Sequence, residues 1–145
     1  MKEKEVTLKA EYVLRLERGE EIVQTLTDFC TQKGITNAVF RAIGAIEKIK
    51  MGYYDLPSKK YGWKTYDEAM EVASMTGNVA LVEDVPFVHV HAVLSGIAPG
   101  TENQPVGGHI FEANVAVTLE VHLTAYTEAI SRVLDEDIGL KLLQL

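Results

Sequence analysis

The sequence predicts an α+β fold with a mainly antiparallel or mixed β-sheet. Three observations lead there. Most of the chain reads as apolar or alternating extended segments. One stretch has clear helical periodicity. The strand-helix-strand spacings that build parallel sheets are nearly absent.

The first element is the run from Glu11 to Leu16, where Tyr12, Leu14 and Leu16 alternate with Glu11, Val13 and Arg15. That period of two is a strand pattern. Arg18-Gly19 marks a turn. Ile22, Val23, Leu26, Phe29 and Cys30 then fall at helical spacing behind Glu20 and Glu21, and Gly34 follows Lys33. Acidic groups suit the positive end of the helix dipole, and a glycine suits its stop, so a helix is expected from about Glu20 to Lys33. Ile35 to Ile49 is β-branched and apolar, with Gly44 inside it, and predicts a strand with a bulge or bend. Met51 to Asp55 continues extended, and residues 56–60 form a turn. Trp63 to Glu71 does not resolve into either class.

Val72 to Val82 predicts a strand, with Gly77-Asn78 a turn or a bulge. Glu83 to Pro86 is a tight connection into Phe87–Ser95, the clearest strand of the middle. Residues 96–108 read as loop. His109 to Tyr126 is a long alternating run that predicts one strand, straight or bent. The final segment, Ala129 to Leu145, fits a short helix or a closing edge strand. With no repeat, linker or low-complexity tract, residues 1–145 are expected to form a single domain.

Composition narrows the class of function. Apolar types make up 47% of the 145 residues, enough for a real core. Fourteen basic and 21 acidic residues leave a net charge of −7, which opposes a surface devoted to nucleic-acid phosphates. The charged start, Met1-Lys2-Glu3-Lys4-Glu5, and the lack of a long apolar run predict no secretory signal, no membrane span and a cytoplasmic protein. The one cysteine, Cys30, excludes an intramolecular disulfide framework and a cysteine-rich zinc site; on the apolar side of the helix it reads as packing. Phosphate-binding glycine loops, Gly-x-Ser-x-Gly, His-Glu-x-x-His and DNA-reading motifs are absent.

Metal chemistry is therefore left to the histidines. His89 and His91 sit two apart on a strand, so both face one side, about 7 Å apart at the backbone, while Val88, Val90 and Ala92 face a core. Gly107-Gly108-His109 opens the next strand. If the two strands pair, His109 approaches the His-x-His pair, helped by glycines that let backbones come close. Three neutral imidazoles with one position open form a common catalytic zinc arrangement, although imidazole also suits copper, iron, nickel and cobalt. Isolated strand histidines are more often surface or hydrogen-bonded residues. His122 lies an odd number of residues from His109 and is expected outside the group. Glu112 and Glu71 are weaker candidates for a fourth ligand or base. Arg15 and Arg41 read as surface or interface ion pairs, or as anion contacts. Tyr53, Tyr54, Tyr61, Trp63 and Tyr66 read as packing or as a subunit interface.

At these residues the chain resembles the plants-and-prokaryotes conserved (PPC) domain. The motifs are Pro86-Phe-Val-His-Val-His-Ala-Val-Leu-Ser95 and Val106-Gly-Gly-His-Ile110, supported by Leu14-Arg15-Leu16 with Gly19-Glu20-Glu21, Ile43-Gly44-Ala45, Gly52-Tyr53-Tyr54-Asp55 and Glu71 to Asn78. The resemblance implies a strongly curved, mainly antiparallel mixed sheet flanked by helices, assembled as a homotrimer. It also implies a metal, commonly zinc, on His89, His91 and His109. Plant members add AT-hooks; the Arg-Gly-Arg-Pro of such a hook is missing here, so the DNA-binding label of prokaryotic relatives meets both that absence and the acidic charge. The expected function is a metal-binding protein with a small-molecule ligand at the metal, its open site suited to hydrolase or lyase chemistry. The alternative is a DNA-associated or regulatory oligomerisation module.

Overall fold

The computed structural model describes residues 1–96 and 104–145. Its elements are β1 (Leu8–Leu16), α1 (Ile22–Lys33), β2 (Asn37–Asp55), β3 (Lys60–Tyr66), β4 (Met70–Val82), β5 (Val85–Ser95), β6 (Val106–Tyr126), β7 (Arg132–Asp135) and β8 (Leu140–Leu143). Six strands form one sheet in the order β1-β6-β5-β4-β2-β3, and β7 and β8 form a separate hairpin.

The strands of the large sheet pair antiparallel throughout. The mixed sheet flanked by helices is thus corrected: the one parallel contact among the described residues is the isolated bridge Leu81–Ser131, and α1 is the one helix there. The strand-rich chain spends its apolar residues on a sheet that closes on itself, leaving a single helix to cover it.

The curvature has a geometric cause. β2 has 19 residues and β6 has 21. Straight, a 21-residue strand would span about 70 Å, whereas a chain of this length folds to a radius of gyration of about 15 Å. Both strands must bend, and they do so together. The β2–β6 register slips between Gly44 and Ile46, and again between Glu47 and Met51. At the first slip Gly44 has φ +147°, and a Cβ there would lie 2.1 Å from the Thr118 carbonyl oxygen. Only glycine fits that approach. Because β6 pairs with β5 at one end and with β2 along its length, strands β2, β4, β5 and β6 close a ring.

The core lies within that ring and under α1. Ile22, Leu26 and Cys30 of the helix join Phe40, Ile46, Met75, Val90, Leu94, Leu119 and Leu123 of the strands. Burying a side chain of this size stabilises by about 1.5–3 kcal/mol. The helix begins at Ile22, two residues later than expected. Glu21 is the N-cap and accepts from the Gln24 amide, while Glu20 accepts from the Glu17 amide. Gly34 ends it in the left-handed conformation, as expected.

Other local expectations divide in two. Gly77-Asn78 is neither turn nor bulge: both residues lie inside β4, opposite Val90 and His89. Residues 63–71, which fitted neither class by sequence, contain the end of β3 and the start of β4. The loop expected over 96–108 falls partly on residues 97–103, outside the described residues, and its last residues, Val106 to Gly108, are already strand. Residues 129–145 form the β7–β8 hairpin rather than a helix. Among the described residues, no helix is long and apolar enough to cross a membrane.

Candidate metal centre

A two-residue turn sets the first half of the site. Glu83 and Asp84 both have positive φ, 53° and 64°, which matches the twist of a hairpin turn. The register that follows places His89 opposite Asn78 and His91 opposite Thr76. Val88, Val90, Ala92 and Leu94 are buried on the other face, as the alternation predicted. The second half comes from β6, where His109 pairs directly with His91. On its other side His109 pairs with Gly52. A Cβ on Gly108 would come within 2.6 Å of the Gly52 carbonyl oxygen. Gly108 therefore serves a close backbone approach, to β2 rather than to the His89–His91 strand, while a Cβ on Gly107 would make only ordinary contacts from 3.4 Å.

His89, His91 and His109 come together with one ring nitrogen from each inside a 4.8 Å span. The Nε2 atoms of His89 and His91 are 3.2 Å apart. A tetrahedral ion with metal–nitrogen bonds of about 2.0–2.1 Å spaces its donors by about 3.4 Å, so this pair already has the separation of two ligands. Nδ1 of His109 is buried without a hydrogen-bond partner. A buried donor or acceptor left unpaired is unfavourable; a bound cation would give the imidazole cluster its missing partner. Burial, reinforced by the Arg132 charge and the neighbouring imidazoles, pushes His89 down to about 4. Burial, with His91 and Arg132 behind it, does the same to His109, also to about 4. Both rings are neutral at pH 7, the form that ligates metals.

Two other groups shape the pocket. Tyr61 and Phe111 pack on the His109 ring, with centroids at 5.5 and 4.6 Å. Arg132, from β7, places Nη2 2.8 Å from Asn78 Oδ1 and 3.2 Å from His89 Nδ1. A guanidinium can only donate. His89 Nδ1 therefore accepts, and the His89 proton sits on Nε2, directed at His91.

The remaining candidates lie elsewhere. Glu112 is exposed and ion-pairs with Lys50 at 3.1 Å. Glu71 is exposed on β4, opposite Ser95. Arg15 pairs with Glu17 at the surface. His122 is exposed and sits opposite Arg41 and Val13. It is outside the group as expected, but for another reason. The slips along β6 break simple alternation, so distance along the strand, not parity, separates it from His109. Trp63 and Tyr53 are exposed on β3 and β2. Sequence reasoning missed Arg132, Asn78 and Phe111. Phe111 was accessible, since it follows His109 by two residues on one strand; Arg132 carried no local signal.

A mainly antiparallel curved sheet holding an outward-facing cluster of three histidines defines the class. The chain belongs to the Plants and Prokaryotes Conserved (PCC, also written PPC) domain family, whose profile matches residues 3–127. It is similar to a metal-containing protein of Archaeoglobus fulgidus, with 36% identity over 100% of both chains and a TM-score of 0.90. It is also similar to a plant- and prokaryote-conserved protein of Pyrococcus horikoshii, with 31% identity over 100% of this chain and 98% of that one, TM-score 0.90. A protein of Bacteroides thetaiotaomicron provisionally called DNA-binding is 27% identical over 96% of each chain, TM-score 0.85. No curated protein matches the chain.

Proposed function

We propose that this protein binds a divalent transition metal, zinc by donor preference, through His89, His91 and His109. The observation that carries the reading is the convergence of three imidazoles, two of them at ligand spacing and one with an orphaned buried nitrogen. The relative described as metal-containing supports it. When bound, such a metal supplies a Lewis acid and a water of lowered pKa. The chain's own part is to hold neutral imidazoles on paired strands, and to shield them with Tyr61 and Phe111. This arrangement suits hydrolase or lyase chemistry on a small substrate, although no carboxylate base lines it among the described residues. The test is metal content of tag-free protein. Stoichiometric zinc in the wild type, with affinity at least ~100-fold weaker in His91→Ala and His109→Ala, is the expected result. Wild type that stays metal-free after zinc supplementation would overturn it.

The protein works as a homotrimer in this reading. Val13, Val39 and Ile43 stand exposed around the His122–Arg41 pair on neighbouring strands β1, β6 and β2, an apolar patch of the kind that subunit contacts cover. Light scattering at micromolar concentration should give three chains; a monomer removes the trimer. A second reading, DNA association, draws on the Bacteroides relative and is opposed by the −7 charge. Duplex binding at about 50 mM salt, where phosphate contacts are strongest, would favour it.

A further inference from the structure

We propose that Arg132 and the cavity beside His89 bind the carboxylate of a small apolar acid. The cavity encloses about 560 Å³ between α1, β3, β5, β6 and the β7–β8 hairpin, within the usual size for a small-molecule site. Its walls include Phe87, Phe111, Leu134, Leu140 and Leu142, and Arg132 stands at the end next to His89 and His109. Arg132 is half-buried, yet it has no carboxylate partner among the described residues. Nη1 donates to the Lys141 carbonyl at 3.1 Å, Nη2 meets only Asn78 and His89, and Nε is buried with no partner. Among the described residues no acidic side chain lines the cavity, and its second cation, Lys141, is already held by Glu83 at 2.7 Å. A partly buried charge without a counter-ion is unfavourable, and an anion from solution relieves it.

The walls decide the kind of anion. One guanidinium with an unused Nε–H, no glycine-rich loop and apolar sides suits a monoanion with a hydrocarbon body, not a multiply charged phosphate. The site also deepens the metal reading, on which this part of the inference rests. A divalent ion on three neutral imidazoles beside Arg132 gathers three positive charges with no carboxylate among the described residues of the cavity to balance them. Metal at His89 Nε2 also puts the His89 proton on Nδ1, facing a group that can only donate. The Arg132 head then leaves His89 and becomes free for the incoming carboxylate. Arg132 is thus a binding residue for the anion and a hindrance to the metal.

The experiment is calorimetric titration of hexanoate and acetate into metal-free and zinc-loaded protein, with zinc affinity measured separately. Hexanoate should bind at least about 10-fold more tightly than acetate, because its methylenes are buried. Arg132→Gln should weaken hexanoate about 10- to 100-fold and leave zinc as tight or tighter, a separation of the two ligands that a merely structural role would not produce. Leu142→Glu, a change at the exposed rim that spares the fold, should also weaken hexanoate without changing zinc. Hexanoate that fails to bind either form of the wild type, or binds Arg132→Gln equally well, overturns the proposal. Zinc binding without hexanoate leaves the metal reading standing and removes this one. Hexanoate binding without zinc does the reverse.

Discussion

The two sides of the pocket are built in different ways. His89, His91 and His109 stand on long paired strands of the main sheet, and their positions follow from alternation, a two-residue turn and one cross-strand pair. Arg132 arrives on a four-residue strand of a separate hairpin, beyond the segment that the family profile matches. The hairpin is held by a few polar contacts: Leu81 N–H to the Ile130 carbonyl at 2.8 Å, Tyr54 hydroxyl to the Ile138 carbonyl at 2.7 Å, and Lys59 Nζ to the Glu136 carbonyl at 2.8 Å. The sheet strands carry the core, whereas no residue of β7 or β8 belongs to the core cluster. The histidine side should therefore be the rigid half of the site and the Arg132 side the adjustable one.

The strongest way to break this contrast is to strike the rigid half at its backbone. Gly108→Ala puts a Cβ 2.6 Å from the Gly52 carbonyl oxygen, where a backbone atom cannot swing away. We expect a loss of about 1–3 kcal/mol and a lower Tm by thermal denaturation. Zinc affinity should fall with it, since His109 moves with its strand. A variant as stable as wild type would mean that β6 is as adjustable as the hairpin.

Alkali tests the same half more gently. Burial pushes the Cys30 thiol from its ordinary 9.0 up to about 11. The unfolded chain ionises first, so above pH 9 the unfolded state binds fewer protons and stability falls as pH rises, until the folded pKa is passed. The slope is at most about 1.4 kcal/mol per pH unit. Cys30→Ala should flatten that segment of the stability profile. At pH 8 a thiol reagent should label wild-type Cys30 only when α1 opens from the core, so fast labelling of the native protein would contradict a rigid histidine half.

The smallest effect sharpens the comparison. Tyr54→Phe removes one hydrogen bond to the hairpin, worth about 1 kcal/mol. It should weaken hexanoate several-fold by calorimetry while zinc affinity and Cys30 labelling stay at wild-type levels. If zinc affinity falls equally, the two sides move as one.

Legibility in the sequence follows the same division. The β5 core face and the His89–His91 pair could be read because strand alternation is a local rule. His109 could be read because the two motifs made a specific joint pattern. The helix limits were right to within two residues because its cap residues announce themselves. Gly77-Asn78 misled, since glycine also serves where space is short: a Cβ there would meet the Phe40 ring at 2.3 Å. The expectation of several flanking helices came with the family resemblance, and residues 129–145 instead make a hairpin whose leucines alternate over runs too short to register as strands.

By itself, then, the sequence determined the mostly β character, the capped helix, the exclusion of an intramolecular disulfide framework and of a cysteine-rich zinc site, and the identity of three convergent imidazoles. These depend on residue type and near-neighbour spacing, which fix torsions and facing directions locally. Only the tertiary structure decided that β6 bends enough to close a ring, that Glu112 and His122 stay outside, and that Arg132 reaches His89 from 43 residues away. Those outcomes depend on register slips and on where a short hairpin finds its hydrogen bonds, and both are settled by contacts between segments distant along the chain.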